Sequence, residues 1–139
     1  MSCGAVILRD TPDGLRVLML RVFRHWDFPK GMVEAGEEPL EAALREVQEE
    51  SLIEDLEFRW GESSTRTGPY SRGKVACYYI ASTRTVEVSL PINPELGRPE
   101  HSEYRWVGFD EAMRLVSPRV RPVLQWAAQV MNLGEADSG

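Results

Sequence analysis

Two apolar-rich stretches, Gly4 to Arg9 and Arg16 to Val22, flank Asp10-Thr-Pro-Asp-Gly14 and predict a strand, a turn and a second strand. From Leu40 the period changes. Leu40, Leu44 and Val47 recur at spacings of four and three, which places them near one side of a helix reaching about Ser51 and turns that side to a core. Pro39 suits the first helical turn, where a missing N–H costs least. Further short strands are predicted around Leu56 to Trp60, Val75 to Ser82, Val86 to Leu90 and Tyr104 to Val107. A short helix is predicted over Asp110 to Leu115 and a longer one over Val120 to Asn132, with Pro122 tolerated near its start. Arg24 to Glu37, punctuated by Pro29, Gly31 and Gly36, reads as a structured loop, and Gly61 to Gly73 as a loop over a site.

Neither a repeat nor a linker divides the 139 residues, so one domain over 1–133 is expected, with a frayed tail at 134–139. Several strands with at least two helices place the chain in the α/β class, as an α+β or layered α/β/α arrangement, without giving strand order. The hydrophobic fraction of 42% is high enough to exclude general disorder. Cys3 and Cys77 supply neither a disulfide framework nor zinc-ligand spacing, and are expected as two small buried thiols in a reducing compartment. No apolar run approaches a membrane span. The start, interrupted by Arg9 and Asp10 and lacking a basic leader, predicts a first strand in a cytoplasmic protein with no membrane partner. A net charge of -6 disfavours a broad grip on nucleic acid but not a phosphorylated ligand held locally through metal and a few basic side chains.

The chemistry concentrates in Arg45-Glu46-Val47-Gln48-Glu49-Glu50. At about 100° per residue Glu46 and Glu50 stand one above the other, with Glu49 bordering them, on the side away from Leu40, Leu44 and Val47. Like charges so placed cost roughly 0.2 to 0.5 kcal/mol in an exposed helix, and a hard cation turns that repulsion into coordination. Magnesium suits an all-oxygen set, with manganese as a substitute. Zinc is less well supported, because His25 and His101 are far apart and neither joins a compact motif. A solvated acidic face laced with ion pairs is the other reading, and helix geometry alone leaves both open.

The pattern Gly31-x5-Glu37-x7-Arg45-Glu46-Val47-x-Glu49-Glu50, closed by the aliphatic Ile53, resembles the 23-residue signature of the Nudix hydrolases. That resemblance implies an α/β/α sandwich with a mixed central sheet and a metal-dependent pyrophosphohydrolase. It implies Glu46, Glu49 and Glu50 as the main metal ligands, the Lys30 carbonyl as a further oxygen ligand, and Gly31, Glu37 and Arg45 as structural support. Arg45 can fork across carboxylates and hold the loop against the helix. Leu52 departs from the signature, standing where the family has glycine. A β-carbon there implies strain or an altered last helical turn.

The flanks His25-Trp-Asp-Phe-Pro-Lys-Gly31 and Pro99-Glu-His-Ser-Glu-Tyr-Arg-Trp-Val107 resemble the asymmetric diadenosine tetraphosphate hydrolase branch of that family. This implies attack of water on a polyphosphate phosphorus, giving ATP and AMP without a serine or cysteine nucleophile. By the same resemblance Glu100 is the late carboxylate, a further metal ligand or the general base, with Glu103 as second candidate. Lys30, Arg72 and Lys74 are expected to meet phosphate. Tyr70 and Tyr79 are expected to meet a base; Tyr78 and Tyr79, being neighbours in a strand, must face opposite ways. Trp26 and Trp106 are expected to pack. A triphosphorylated or capped RNA 5′ end, ADP-ribose, a nucleoside triphosphate, and a non-catalytic nucleotide-binding role are the alternatives. Oligomeric state and the number of ions are not set by the sequence.

Overall fold

The structure is a computed structural model and describes residues 1–70 and 72–138, with side chains as far as 132. In chain order the elements are β1 (Ser2–Thr11), β2 (Gly14–Val22), β3 (His25–Asp27), β4 (Lys30–Met32), α1 (Pro39–Ser51), β5 (Thr65–Tyr70), β6 (Lys74–Ser82), β7 (Ile92–Asn93), β8 (Arg98–Pro99), β9 (Glu103–Val107), α2 (Phe109–Leu115) and α3 (Arg121–Ser138).

The first predicted hairpin forms as β1 and β2, paired antiparallel from Leu8↔Val17 to Thr11↔Gly14. Gly14 sits at φ 109°, a conformation that a residue with a β-carbon rarely adopts. β1 also pairs in parallel with β6, and the main path runs β3-β2-β1-β6-β5, with β4 added to β1 and β9 to β2. The sheet is therefore mixed. Alternation along β1 sends Val6 and Leu8 to one face, against Val123, Leu124 and Ala127 of α3, and Ala5 and Ile7 to the other, with Val47 of α1. Helices cover both faces, giving the expected α/β/α sandwich.

The differences have local causes. Residues 56–60 contribute only the isolated bridge Glu57↔Ser82. Residues 86–90 form no ladder; their apolar alternation reflects a covering segment, with Val88 buried, Trp106 Nε1 donating to the Val86 carbonyl at 2.8 Å and the Ser89 amide to Ser51 at 3.4 Å. The expected loop 61–73 instead carries β5, which folds onto β6 through Arg72 at φ 61° and Gly73 at φ 77°. Its register shifts between Thr67 and Tyr70, where Pro69 has no N–H to donate. The loop 24–37 likewise contains β3 and β4, each three residues long.

Cys3 and Cys77 are direct partners in the parallel β1/β6 ladder, with Cα atoms 4.6 Å apart, and are joined as a disulfide where two thiols were expected. Helix α1 is rolled relative to its sequence pattern. Leu44 is 40% exposed, and the buried line runs through Ala43, Val47, Glu50 and Ser51. Glu41 accepts the Glu38 amide at 3.2 Å at the start of α1, next to Pro39. The other end closes on Leu52 at φ 60°, ψ 17°, whose amide reaches the Gln48 carbonyl at 2.9 Å, so the left-handed cap survives without its glycine. The expected tail at 134–139 falls on residues whose side chains lie outside those described. Among the described residues no helix is long and apolar enough to cross a membrane.

Candidate active site

Arg45 joins loop to helix. Its Nε and Nη2 donate to the two oxygens of Glu37 at 2.8 and 3.0 Å, Nη2 also to the Met32 carbonyl at 2.8 Å, and Nη1 to Glu46 at 2.7 Å and Glu49 at 3.3 Å. The Arg45 hydrogen bond, assisted by the Glu34 amide, holds the Glu37 carboxyl down to about 2. The Arg45 guanidinium is in turn pushed upward, first by Glu37. Gly31 of β4 lies under Glu46, and any side chain there would run into that carboxylate. The opening glycine of the signature is thus a requirement of close approach.

Glu50, expected on the outward side, is only 7% exposed because the α1 roll turns it inward. Its Oε2 has no hydrogen-bond partner among the described residues. Burial raises its pKa well above the usual carboxylate value, and the charges of Glu100 and Glu46 raise it further against the pull of Lys30. Glu46 is raised too, by burial, with Arg45 opposing. Glu49 is the outer member, its side chain more than half exposed.

The chain just after β8 brings Glu100 and His101 to Glu50, so that ligand atoms of the three lie within 4.8 Å of one another. His101 Nδ1 is 3.6 Å from Glu50 Oε1. Burial pushes His101 down to about 4, leaving a neutral imidazole with a free lone pair at neutral pH. A buried carboxylate oxygen without a partner, two carboxyls made costly to ionise and a neutral histidine form a donor set that fits a divalent cation. Spacing gave no warning of His101; its one sequence signal was adjacency to Glu100.

These groups line a cleft of about 1110 Å³ together with Lys30, Tyr70 and Lys74. Arg72 is placed at the β5/β6 turn, outside that lining. Tyr79 is buried beside Cys3 and Ala43, and Tyr78 is fully buried on the opposite face. The two tyrosines do face opposite ways, but neither lines the cleft. Glu103, on β9, pairs with Arg21 at 3.0 Å and Arg105 at 2.8 Å away from the lining, whereas Glu100 is part of it. Trp26 packs under Arg21 and Arg105, and Trp106 under Arg9.

One cluster was invisible in the sequence. Asp27 Oδ2 lies 3.0 Å from Arg119 Nη2 and 3.8 Å from Lys30 Nζ, while Oδ1 accepts the Phe28 amide at 2.7 Å and the Tyr78 hydroxyl at 3.2 Å. The Arg119 guanidinium stands 4.2 Å above the Tyr70 ring. Asp27 and Arg119 are 92 residues apart, so no local pattern relates them.

The family model described as NUDIX domain matches residues 2–127. The chain is 38% identical to the asymmetrical bis(5′-nucleosyl)-tetraphosphatase of Rattus norvegicus over 126 positions, 82% of each chain. It is 31% identical to an RNA pyrophosphohydrolase of Erythrobacter litoralis over 150 positions, 88% of this chain and 84% of that protein. In fold it is similar to the Ap4A hydrolase of C. elegans in a binary complex, with TM-score 0.75 and 23% identity over 95% of this chain and 98% of that one.

Proposed function

The chain belongs to the Nudix hydrolase family, a pyrophosphohydrolase lineage that splits phosphoanhydride bonds, and from that premise we propose that it cleaves diadenosine tetraphosphate asymmetrically to ATP and AMP with Mg2+. The observation that carries the chemistry is the buried, unpartnered Glu50 oxygen beside Glu100 and His101 in a cleft shared with Lys30 and Lys74. The choice of substrate is supported by the 38% identity to the rat tetraphosphatase.

In this reading Glu46, Glu49, Glu50 and Glu100, with the Lys30 carbonyl, would hold Mg2+, for which Mn2+ would substitute, and the neutral His101 borders that set beside Glu50. When bound, the cation draws charge from phosphate oxygens and eases loss of a proton from water. Glu100 takes that proton as the water oxygen bonds to phosphorus and the bridging P–O bond breaks. Lys30 and Lys74 neutralise charge on the phosphate chain, and Arg72 contributes from the hairpin turn as a longer-range charge. Tyr70 offers a ring face to a base, whereas Tyr79 acts through packing under α1. Gly31, Glu37 and Arg45 keep the carboxylates in place.

The 31% identity to an RNA pyrophosphohydrolase favours a second reading, removal of pyrophosphate from an RNA 5′ end. The net charge of -6 weighs against a long RNA track, although an RNA terminus needs only a local site. Turnover of diadenosine tetraphosphate and of triphosphorylated RNA, measured side by side with Mg2+, decides between them. A higher kcat/KM for the dinucleotide, with ATP and AMP in equal amounts, supports the first reading; preference for RNA with pyrophosphate release replaces it with the second.

A further inference from the structure

The group around Asp27 does something that no signature residue requires. Asp27 carries one negative charge and faces two cations, Arg119 at 3.0 Å and Lys30 at 3.8 Å on the same oxygen. Of the two, Arg119 makes the hydrogen bond, and Lys30 stays beyond hydrogen-bond range. The Asp27 side chain is 14% exposed and its other oxygen is taken by the Phe28 amide and the Tyr78 hydroxyl, so its position is fixed. Arg119 is fixed as well. It projects from the turn between α2 and α3, donates to Thr67 Oγ1 at 3.4 Å and stands over the Tyr70 ring at 4.2 Å from its centroid.

The consequence is electrostatic. With Arg119 in place the Asp27, Arg119 and Lys30 group carries a net positive charge, and Lys30 extends it into the cleft lining. Without Arg119, Asp27 and Lys30 would close into a neutral pair, and the lysine would be drawn back from any ligand. We propose that Arg119, which is not a cleft residue, is a positioning residue: by occupying Asp27 it leaves the Lys30 ammonium free for a substrate phosphate. This rests on the phosphoanhydride-hydrolase reading above, and it adds to it a device for keeping a phosphate-binding lysine out of an internal ion pair.

The test compares the wild type with Arg119→Met, Asp27→Asn, the double variant and Arg119→Lys. Calorimetric binding of inorganic tripolyphosphate with Mg2+ is read beside kcat and KM for diadenosine tetraphosphate, and melting temperature reports folding. Arg119→Met is expected to weaken tripolyphosphate binding and raise KM by roughly tenfold, the scale of one charge-assisted contact, with a much smaller change in kcat. Adding Asp27→Asn to Arg119→Met removes the competing carboxylate and is expected to restore most of that loss, a rescue that a purely structural Arg119 would not give. Should Arg119→Met fail to fold, Arg119→Lys carries the test: it keeps the charge on Asp27 and is expected to bind tripolyphosphate within about threefold of wild type. Equal binding by wild type and Arg119→Met, no recovery in the double variant, or a tenfold loss in Arg119→Lys overturns the proposal. Because this binding needs no turnover, a wild type that binds tripolyphosphate without cleaving the dinucleotide counts against the substrate alone, while one that binds none removes both.

Discussion

Replacing Glu50 by glutamine separates stability from activity. In the metal-free protein the ionised Glu50 carboxylate is buried, has an oxygen without a partner and faces Glu46 and Glu100. Its folded-state pKa lies well above the ordinary 4.5, so between these values the folded chain binds more protons than the unfolded one. Metal-free stability is therefore greatest below 4.5 and is lost as pH rises through the folded pKa. Glutamine fills the same space without the charge. At pH 8 in EDTA, Glu50→Gln should be more stable than the parent by about 1 to 3 kcal/mol, the cost of an unsatisfied buried polar group. At roughly 4 °C per kcal/mol for a domain of this size, that is a rise of roughly 4 to 12 °C in melting temperature. Below pH 4.5 the two should converge. Saturating Mg2+ shifts the balance back toward the parent, since a ligand at a hundred times its Kd adds about 2.7 kcal/mol to the parent and much less to a variant lacking a donor. The assay is scanning calorimetry from pH 4 to 9, in EDTA and in Mg2+. A variant less stable than the parent in EDTA at pH 8, or equal Mg2+ shifts in both, refutes the reasoning.

Other perturbations probe the supporting parts. Gly31→Ala pushes a methyl group into the Glu46 carboxylate, and kcat should fall about 100-fold, the scale of an ångström-size misplacement, while circular dichroism still shows the fold. Arg45→Lys keeps the charge but cannot span Glu37, Met32 and Glu46 together, so urea unfolding should show a loss of about 1 to 3 kcal/mol and activity should fall with it. His101 is held neutral with its folded pKa at about 4 against 6.5, so it contributes stability above 6.5 that is lost as pH falls toward 4. The stability gap between the parent and His101→Asn in urea melts should therefore move in favour of the variant from pH 7 to pH 4.

Local pattern revealed several of the elements that depend on neighbouring residues, though not the β5/β6 hairpin. The β1/β2 hairpin, β6, β9 and the α1 start at Pro39 followed from alternation, turn chemistry and helical spacing. The Arg45 fork and the need for Gly31 followed from the fixed spacing of the signature. What escaped depends on contacts far apart in sequence. The roll that buries Glu50 and exposes Leu44 is decided by how Ala43 and Val47 seat on the sheet, and the spacing of leucines does not report it. Val86 to Leu90 alternate like a strand because one side covers the core, yet the segment forms no ladder. The Cys3 and Cys77 bond requires the parallel β1/β6 register, and the tie between Asp27 and Arg119 requires the turn before α3 to pack against the end of β3.

The central claim is that water attacks phosphorus at the carboxylate cluster around Glu50. The most direct measurement is mass spectrometry of the products of diadenosine tetraphosphate turnover in oxygen-18 water with Mg2+, for the wild type and Glu50→Gln. The account gives ATP and AMP with a single heavy oxygen per turnover on one of the two, no turnover in EDTA, and a rate lowered at least 100-fold in Glu50→Gln, the scale of losing a group that stabilises the transition state. Unlabelled products, or turnover undiminished by EDTA or by Glu50→Gln, would contradict it.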